Sequence, residues 1–275
     1  MKNILSICFL SCCLIFLTFG HFHYKDKLAT IAQAAKEEHT ALSPTSEPIE
    51  SISEPEDEVP KELPPSENME PVSEVTGVLQ EWVEKKQDTE AINLSFFGSA
   101  SLLNEAQPDK NWPSLVTAEL KSRLNHQEIT ATIIDVARNP SSDILYSDHV
   151  DTVIESKPDI LLVEPFILND AGVVTIEDSL SNIKQILTTL KKELPETDII
   201  IMPANPLVEA DYYVKKTEDL ANFAKAEGYD YANHWEAWPS PSEDKKLEKY
   251  LDNGRPNSAG HTIWAEYLVN YLTSN

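Results

Sequence analysis

Ile92-Asn93-Leu94-Ser95-Phe96-Phe97-Gly98-Ser99-Ala100-Ser101 is the stretch on which the reading of this chain turns. Ile92, Leu94, Phe96 and Phe97 supply the β-branched and aromatic bulk of a buried strand, and Gly98 ends the run in a Gly-Ser turn. In an open α/β sheet, ligands sit at the carboxyl ends of the strands, so this small hydroxyl-rich loop is the first candidate for a site.

Outward from there the pattern repeats. A helix is expected from Val78 to Gln87, with Val78, Leu79, Trp82 and Val83 on one face. Strand 92–97 leads to helix 112–125, and strand 128–136 to a helix around 143–156. Strand 159–164 leads to helix 175–194, where Ile176, Leu180, Ile183, Leu187, Leu190 and Leu194 form one stripe at steps of three and four. Strand 198–203, helix 210–227, a short strand at 229–232 and a last helix at about 259–272 complete the order. Apolar strands alternating with amphipathic helices specify a parallel sheet covered on both faces. The expected fold is therefore α/β, a three-layer α/β/α sandwich around a five-stranded parallel sheet.

The amino-terminal part has a different character. Met1-Lys2-Asn3 precedes an apolar run from Ile4 to Gly20, the layout of an export signal and also long enough for a membrane anchor. Residues 1–24 read as a signal peptide or an N-terminal membrane anchor. All three cysteines, Cys8, Cys12 and Cys13, lie in this run, and Leu10-Ser11-Cys12-Cys13 also offers a lipidation box. Residues 25–77 form an acidic Pro/Ser/Glu-rich spacer with too few apolar groups to offset the entropy of ordering, beyond a short helix at Leu28–Lys36. The folded domain is expected over 78–275. The formal net charge of −24 removes the basic footprint that nucleic-acid binding needs and disfavours adhesion to anionic lipid. Contact with a membrane is expected only through the N-terminal segment. The location expected is extracytoplasmic, anchored to or secreted from a bacterial cell, where a domain without cysteines needs no disulfides.

Toward the carboxyl end, Asp252-Asn253-Gly254-Arg255-Pro256-Asn257-Ser258-Ala259-Gly260-His261 enters an apolar helix. With the Gly98-Ser99 turn at the other end, this segment resembles the last block of the SGNH/GDSL hydrolase superfamily, and the resemblance extends from strand 92 to the final helix. The resemblance implies a flavodoxin-like five-stranded parallel sheet, expected in the order 2-1-3-4-5, and ester hydrolysis by Ser, His and usually Asp. The family's first block typically reads Gly-Asp-Ser, and its last Asp-x-x-His-Pro-Asn before a Gly and a helix. In register, Ser99 stands for the family's Asp, Ala100 for its nucleophile and Arg255 for its catalytic His. Alanine has no nucleophilic atom, and arginine stays protonated in a protein, so it is no base.

The expectation that follows is an extracytoplasmic esterase or deacetylase on a small acyl ester or an acylated cell-envelope glycan. Ser99 or Ser101 would be the nucleophile, His261 the base and Asp252 the group that orients it. Asn169, in Glu164-Pro165-Phe166-Ile167-Leu168-Asn169-Asp170, fits the family's oxyanion Asn, while Arg138 or Asn139 follows strand two where a Gly donor is usual. Arg255 is expected to face the cleft and pair with an acid there, Asp252 being nearest in sequence. His149 reads as a solvated mid-helix residue. Trp235 and Trp238 read as core or lid, or as a platform for a sugar ring. The alternative is a catalytically inactive module of the same fold that binds a glycan or a surface partner. No cofactor is expected. The chain has no metal-ligand spacing, and its seven glycines form no phosphate-cradling loop.

Overall fold

The computed structural model describes residues 76–86, 90–124 and 127–274. The leader, almost all of the spacer, the three cysteines and the helix expected at Leu28–Lys36 lie outside the described residues.

Helix α1 (Val78–Lys86) precedes strand β1 (Ile92–Gly98), helix α2 (Trp112–Arg123) and strand β2 (Ile129–Asp135). Short helices α3 (Ser141–Ile144) and α4 (His149–Ser156) lead into β3 (Ile160–Val163) and α5 (Ile176–Glu193). Then come β4 (Asp198–Ile201), α6 (Asp211–Glu227), β5 (Asp230–Tyr231) and the short helix α7 (Asp244–Leu247). A two-stranded hairpin, β6 (Leu251–Asp252) and β7 (Arg255–Pro256), delivers the chain into the last helix, α8 (Ser258–Thr273). The five main strands are parallel, in the order β2-β1-β3-β4-β5. This is the α/β/α sandwich expected from the sequence.

The pleat of β1 sends neighbouring side chains to opposite faces, so Phe96 and Phe97 enter different cores. Phe96 joins Trp112, Leu120, Trp264 and Leu268 from α2 and α8. Phe97 joins Val163, Phe166, Ile183, Leu187 and Leu190, which includes the stripe of α5. Full burial of such side chains stabilises by roughly 1.5–3 kcal/mol each. On the α2/α8 side, Trp112 and Trp264 stack with ring centroids 4.7 Å apart, and His234 lies on the other face of Trp264 at 4.0 Å.

Side-chain caps fix where the helices start. Asn111 accepts from the Ser114 N–H at 2.8 Å to begin α2, and Thr175 accepts from the Asp178 N–H at 3.1 Å to begin α5. Asn257 accepts from the Ala259 and Gly260 N–H groups at 3.0 and 3.1 Å, starting α8 beside the hairpin.

Four local features differ from the sequence reading. The helix expected around 143–156 is two helices, and His149 is the first residue of the second, its Nδ1 2.9 Å from Ser147 Oγ rather than in mid-helix solvent. Asn253 (φ 52°) and Gly254 (φ 77°) both take positive φ between paired Asp252 and Arg255, the two-residue loop of a tight hairpin. Gly98 is required for close approach: a Cβ there would lie 2.8 Å from Glu164 Cβ and 2.9 Å from Glu164 Oε2. Finally, Thr76, two positions ahead of the first residue expected in the domain, packs with it, its N–H donating to the Thr273 carbonyl at 3.1 Å.

Candidate functional site

Ser99 leaves β1 in extended conformation, and its Oγ accepts from the Ser101 N–H at 3.2 Å, capping a single turn at Ala100–Leu102. The same hydroxyl donates to Glu164 Oε2 at 2.5 Å, and the Ser99 N–H donates to that oxygen at 2.7 Å. Glu164 follows β3, the neighbour of β1, and is fully buried, with Oε1 lacking a partner among the described residues. Burial pushes its pKa up to about 8; the two bonds from Ser99 oppose the shift, and nearby Asp135 adds to it. At neutral pH this carboxyl is largely protonated.

Ser101 Oγ donates to Asn205 Oδ1 at 2.9 Å, and Asn205 Nδ2 donates to the Gly254 carbonyl at 3.0 Å. Asn205, buried just beyond β4, thus ties the first turn to the β6–β7 hairpin. The loops after β2 and β3 join at one carbonyl: Ala137 O accepts from the Ala100 N–H at 3.0 Å and from Asn169 Nδ2 at 3.2 Å. Ala137 itself holds φ 55°, a left-handed conformation that glycine would adopt without strain, at the place where the resemblance calls for a Gly. Segments around positions 100, 137, 169, 205 and 254 therefore meet at the carboxyl edge of the sheet, as the fold class implies.

What they assemble is not an acyl-transfer set. The expected base, His261, is buried beneath α2, with Nδ1 accepting from the Trp112 N–H at 3.2 Å and Nε2 unpartnered among the described residues. Burial lowers its pKa to about 4, the Leu103 backbone opposing. Its role is packing, because its place in the first turn of α8 directs the ring into the core. Asp252, expected to orient that base, is exposed on the hairpin opposite Arg255. His234 is no substitute. Its Nε2 bonds the Pro203 carbonyl at 2.8 Å, its Nδ1 accepts from Trp238 Nε1 at 3.0 Å, and burial lowers its pKa to about 3.

Four of the candidate oxyanion donors are engaged as well, and the Arg138 N–H alone among the candidates has no hydrogen bond to the described residues. The Ala100 N–H bonds Ala137 O, and the Ala137 N–H donates to Asp135 Oδ1 at 2.7 Å. Asn169 Nδ2 also donates to the Asn139 carbonyl at 2.9 Å, and the Asn139 N–H donates to Val136 O at 3.1 Å. An oxyanion hole needs such N–H groups aimed at the position where charge develops, and these four donors already hold the loops together. Asp170 is structural, accepting from the Ser141 N–H at 2.7 Å and from the Ser179 hydroxyl.

Arg255 does face the cleft, but its partner is the exposed Glu105, not Asp252. An open groove of about 350 Å³ runs here, with Arg138, Arg255, Asn104 and Asn257 in its lining. Trp235 and Trp238 pack inward, their Nε1 groups donating to the Ala204 carbonyl at 2.7 Å and to His234, so neither forms a platform at the rim. Among the described residues no group of three or more His, Cys, Asp or Glu side chains has metal-binding geometry.

Sequence reasoning missed Glu164 and Asn205. Their signal was position: each is a polar residue just past an apolar strand, at the edge where sites form.

No family model and no curated protein matches the chain. Solved structures do. One is a lipolytic-type protein of the G-D-S-L family from Desulfitobacterium hafniense, 16% identical at TM-score 0.55, covering 66% of this chain and 99% of its own. Another is the psychrotrophic esterase EstA from Pseudoalteromonas, 12% identical at TM-score 0.52, over 66% of this chain and 96% of that one. A third is a two-domain esterase active on acetylated mannans, co-crystallised with mannopentaose, 14% identical at TM-score 0.57; the match covers 72% of this chain and 54% of that one. The chain has the fold of the SGNH/GDSL hydrolases.

Proposed function

We propose that this chain is an extracytoplasmic module of the SGNH fold that binds a glycan-like ligand at the carboxyl edge of its sheet and does not hydrolyse it. One observation carries the reading: Ala100 and Arg255 hold the nucleophile and base positions, and no described imidazole bonds the hydroxyl of Ser99 or Ser101, Ser99 being turned to Glu164 and Ser101 to Asn205. The location rests on the apolar N-terminal run and the acidic spacer. The solved neighbour active on acetylated mannans makes glycans the ligand class to test first.

A second reading, hydrolysis of a small acyl ester or an acylated glycan, draws on the Ser99–Glu164 contact. A carboxyl with a pKa of about 8, 2.5 Å from a hydroxyl, matches the working range of a general base. Against it, Ser99 is only 2% exposed, so substrate reaches the hydroxyl only if the turn opens.

Fluorophosphonate labelling of the full-length chain in detergent separates the two. The expected result is no label on the native protein, and labelling with ester hydrolysis on p-nitrophenyl acetate in the Ala100→Ser, Arg255→His double variant. That variant should exceed either single change by roughly 10²-fold, the usual contribution of a positioned base. Native labelling that disappears in Ser99→Ala or Ser101→Ala establishes the hydrolase instead.

A further inference from the structure

The chain has three arginines, Arg123, Arg138 and Arg255, and two of them line one groove. Arg138 comes from the loop after β2, and Arg255 from the hairpin before α8. Among the described residues Arg138 is exposed and has no ion pair or hydrogen bond. Arg255 is 30% exposed, and its partner Glu105 is 77% exposed, a pairing that contributes little and yields readily to a better acceptor. In a chain of net charge −24, a groove lined by two arginines against two carboxylates, Glu105 and Asp252, is locally neutral rather than acidic.

We propose that this groove binds an oxyanion carried on a polyol or sugar, a carboxylate or a phosphate, with Arg255 and Arg138 as its clamp. The guanidinium fork matches the two oxygens of a carboxylate or phosphate and stays charged at every working pH. The positive end of the α8 dipole opens on the same groove, since Asn257 and Ser258, at the start of that helix, also line it. Asn253, exposed and without a hydrogen bond among the described residues, adds to the lining an amide suited to a ligand's hydroxyls, while the Asn104 and Asn257 amides hold the loops around it. Asp252, also in the lining, disfavours a bare anion and suits a ligand that offers hydroxyls beside its charge. A volume of about 350 Å³ lies at the small end of ligand sites and fits one or two sugar rings rather than a long acyl chain. This inference rests on reading the domain as a binding module, and it names the ligand class of that site.

The test is calorimetric titration of the full-length chain in detergent with three probes. They are an oligogalacturonate for carboxylates, an oligo(glycerol phosphate) for phosphates, and neutral mannopentaose. At least one acidic probe should bind about 10-fold or more tightly than mannopentaose, weakening as salt rises. Whichever acidic probe binds identifies the carboxylate or the phosphate as the source. Arg255→Ala and Arg138→Ala should each lower its affinity about 10-fold, Arg255→Lys less, and Glu105→Ala should raise it. Equal binding of the neutral probe, no binding of either acidic probe, or indifference to both arginine changes overturns the proposal. If mannopentaose binds regardless of the arginines, this inference fails while the binding reading stands. If the native chain takes up fluorophosphonate yet binds the acidic probe through its arginines, the non-hydrolytic reading fails and this one survives.

Discussion

The turn after β1 and the loop before α8 carry the two ends of the SGNH-like pattern, and they are built in opposite ways. The turn is closed. Ser99 and Ser101 are buried, their hydroxyls directed to Glu164 and Asn205, and the Ala100 N–H is held by a neighbouring loop. The loop is open: its hairpin exposes Asp252, Asn253 and Gly254 and turns Arg255 toward a groove, while the one histidine of the block, His261, is in the core. Chemistry of the hydrolase kind needs a nucleophile and a base that face one another. Here the nucleophile end faces inward and the base end presents a cation, which is the contrast on which the proposed binding role rests.

Three perturbations probe that contrast, and the largest effect falls on the support of the open loop. A Cβ at Gly260 would run into the Tyr250 carbonyl oxygen and approach the Trp238 ring to 2.9 Å. Gly260→Ala should therefore cost about 3 kcal/mol and lower the melting temperature by roughly 6–12 °C. A melting temperature within about 2 °C of native would mean that the loop is not braced against α8.

The closed turn should reveal itself in pH dependence. Glu164 keeps its proton in the folded state up to about pH 8, whereas in the unfolded chain it loses it near its ordinary value of 4.5. Between those values the folded state holds more protons, so stability falls as pH rises. Buried His234 and His261, lowered to about 3 and about 4 from 6.5, act in the other direction, and their contribution is lost as pH falls below 6.5. Urea unfolding should thus show an optimum near about pH 6. Glu164→Gln should flatten the alkaline side and gain more than about 1 kcal/mol at pH 8. An unchanged slope there would mean that Glu164 ionises freely and that the turn is open to water.

Smallest is the effect expected on stability from Arg255→Ala. The Glu105 pair is exposed, so its loss should change the unfolding free energy by less than about 0.5 kcal/mol. A loss above about 1.5 kcal/mol would make Arg255 a structural strut of the hairpin rather than a groove residue.

The elements and both layers were legible because burial imposes periodicity, and the sheet order followed from the resemblance to a flavodoxin-like family. The stripe from Ile176 to Leu190 and the apolar runs of β1, β3 and β4 leave each segment one stable way to hide its surface. The hairpin was legible too, since Asn253-Gly254 is the dipeptide that two positive φ angles favour, but the resemblance to a catalytic block drew attention from it. That Ala100 and Arg255 cannot do the family's chemistry also followed from residue identity, because a methyl group offers no lone pair and a guanidinium gives up no proton.

Tertiary structure alone decided which polar groups meet. Nothing local distinguishes Glu164 from any carboxylate after a strand. Its raised pKa and its hold on Ser99 arise because β1 and β3 are neighbours and Gly98 lets the two backbones close. The same holds for Asn205, which joins Ser101, 104 positions before it, to Gly254, 49 positions after it. His261 illustrates the limit most plainly. It was the imidazole available to replace the family's His lost at Arg255, yet whether an imidazole in the first turn of a helix faces a cleft or a core depends on the rotation of that helix, and the Trp112–Trp264 stack fixes it.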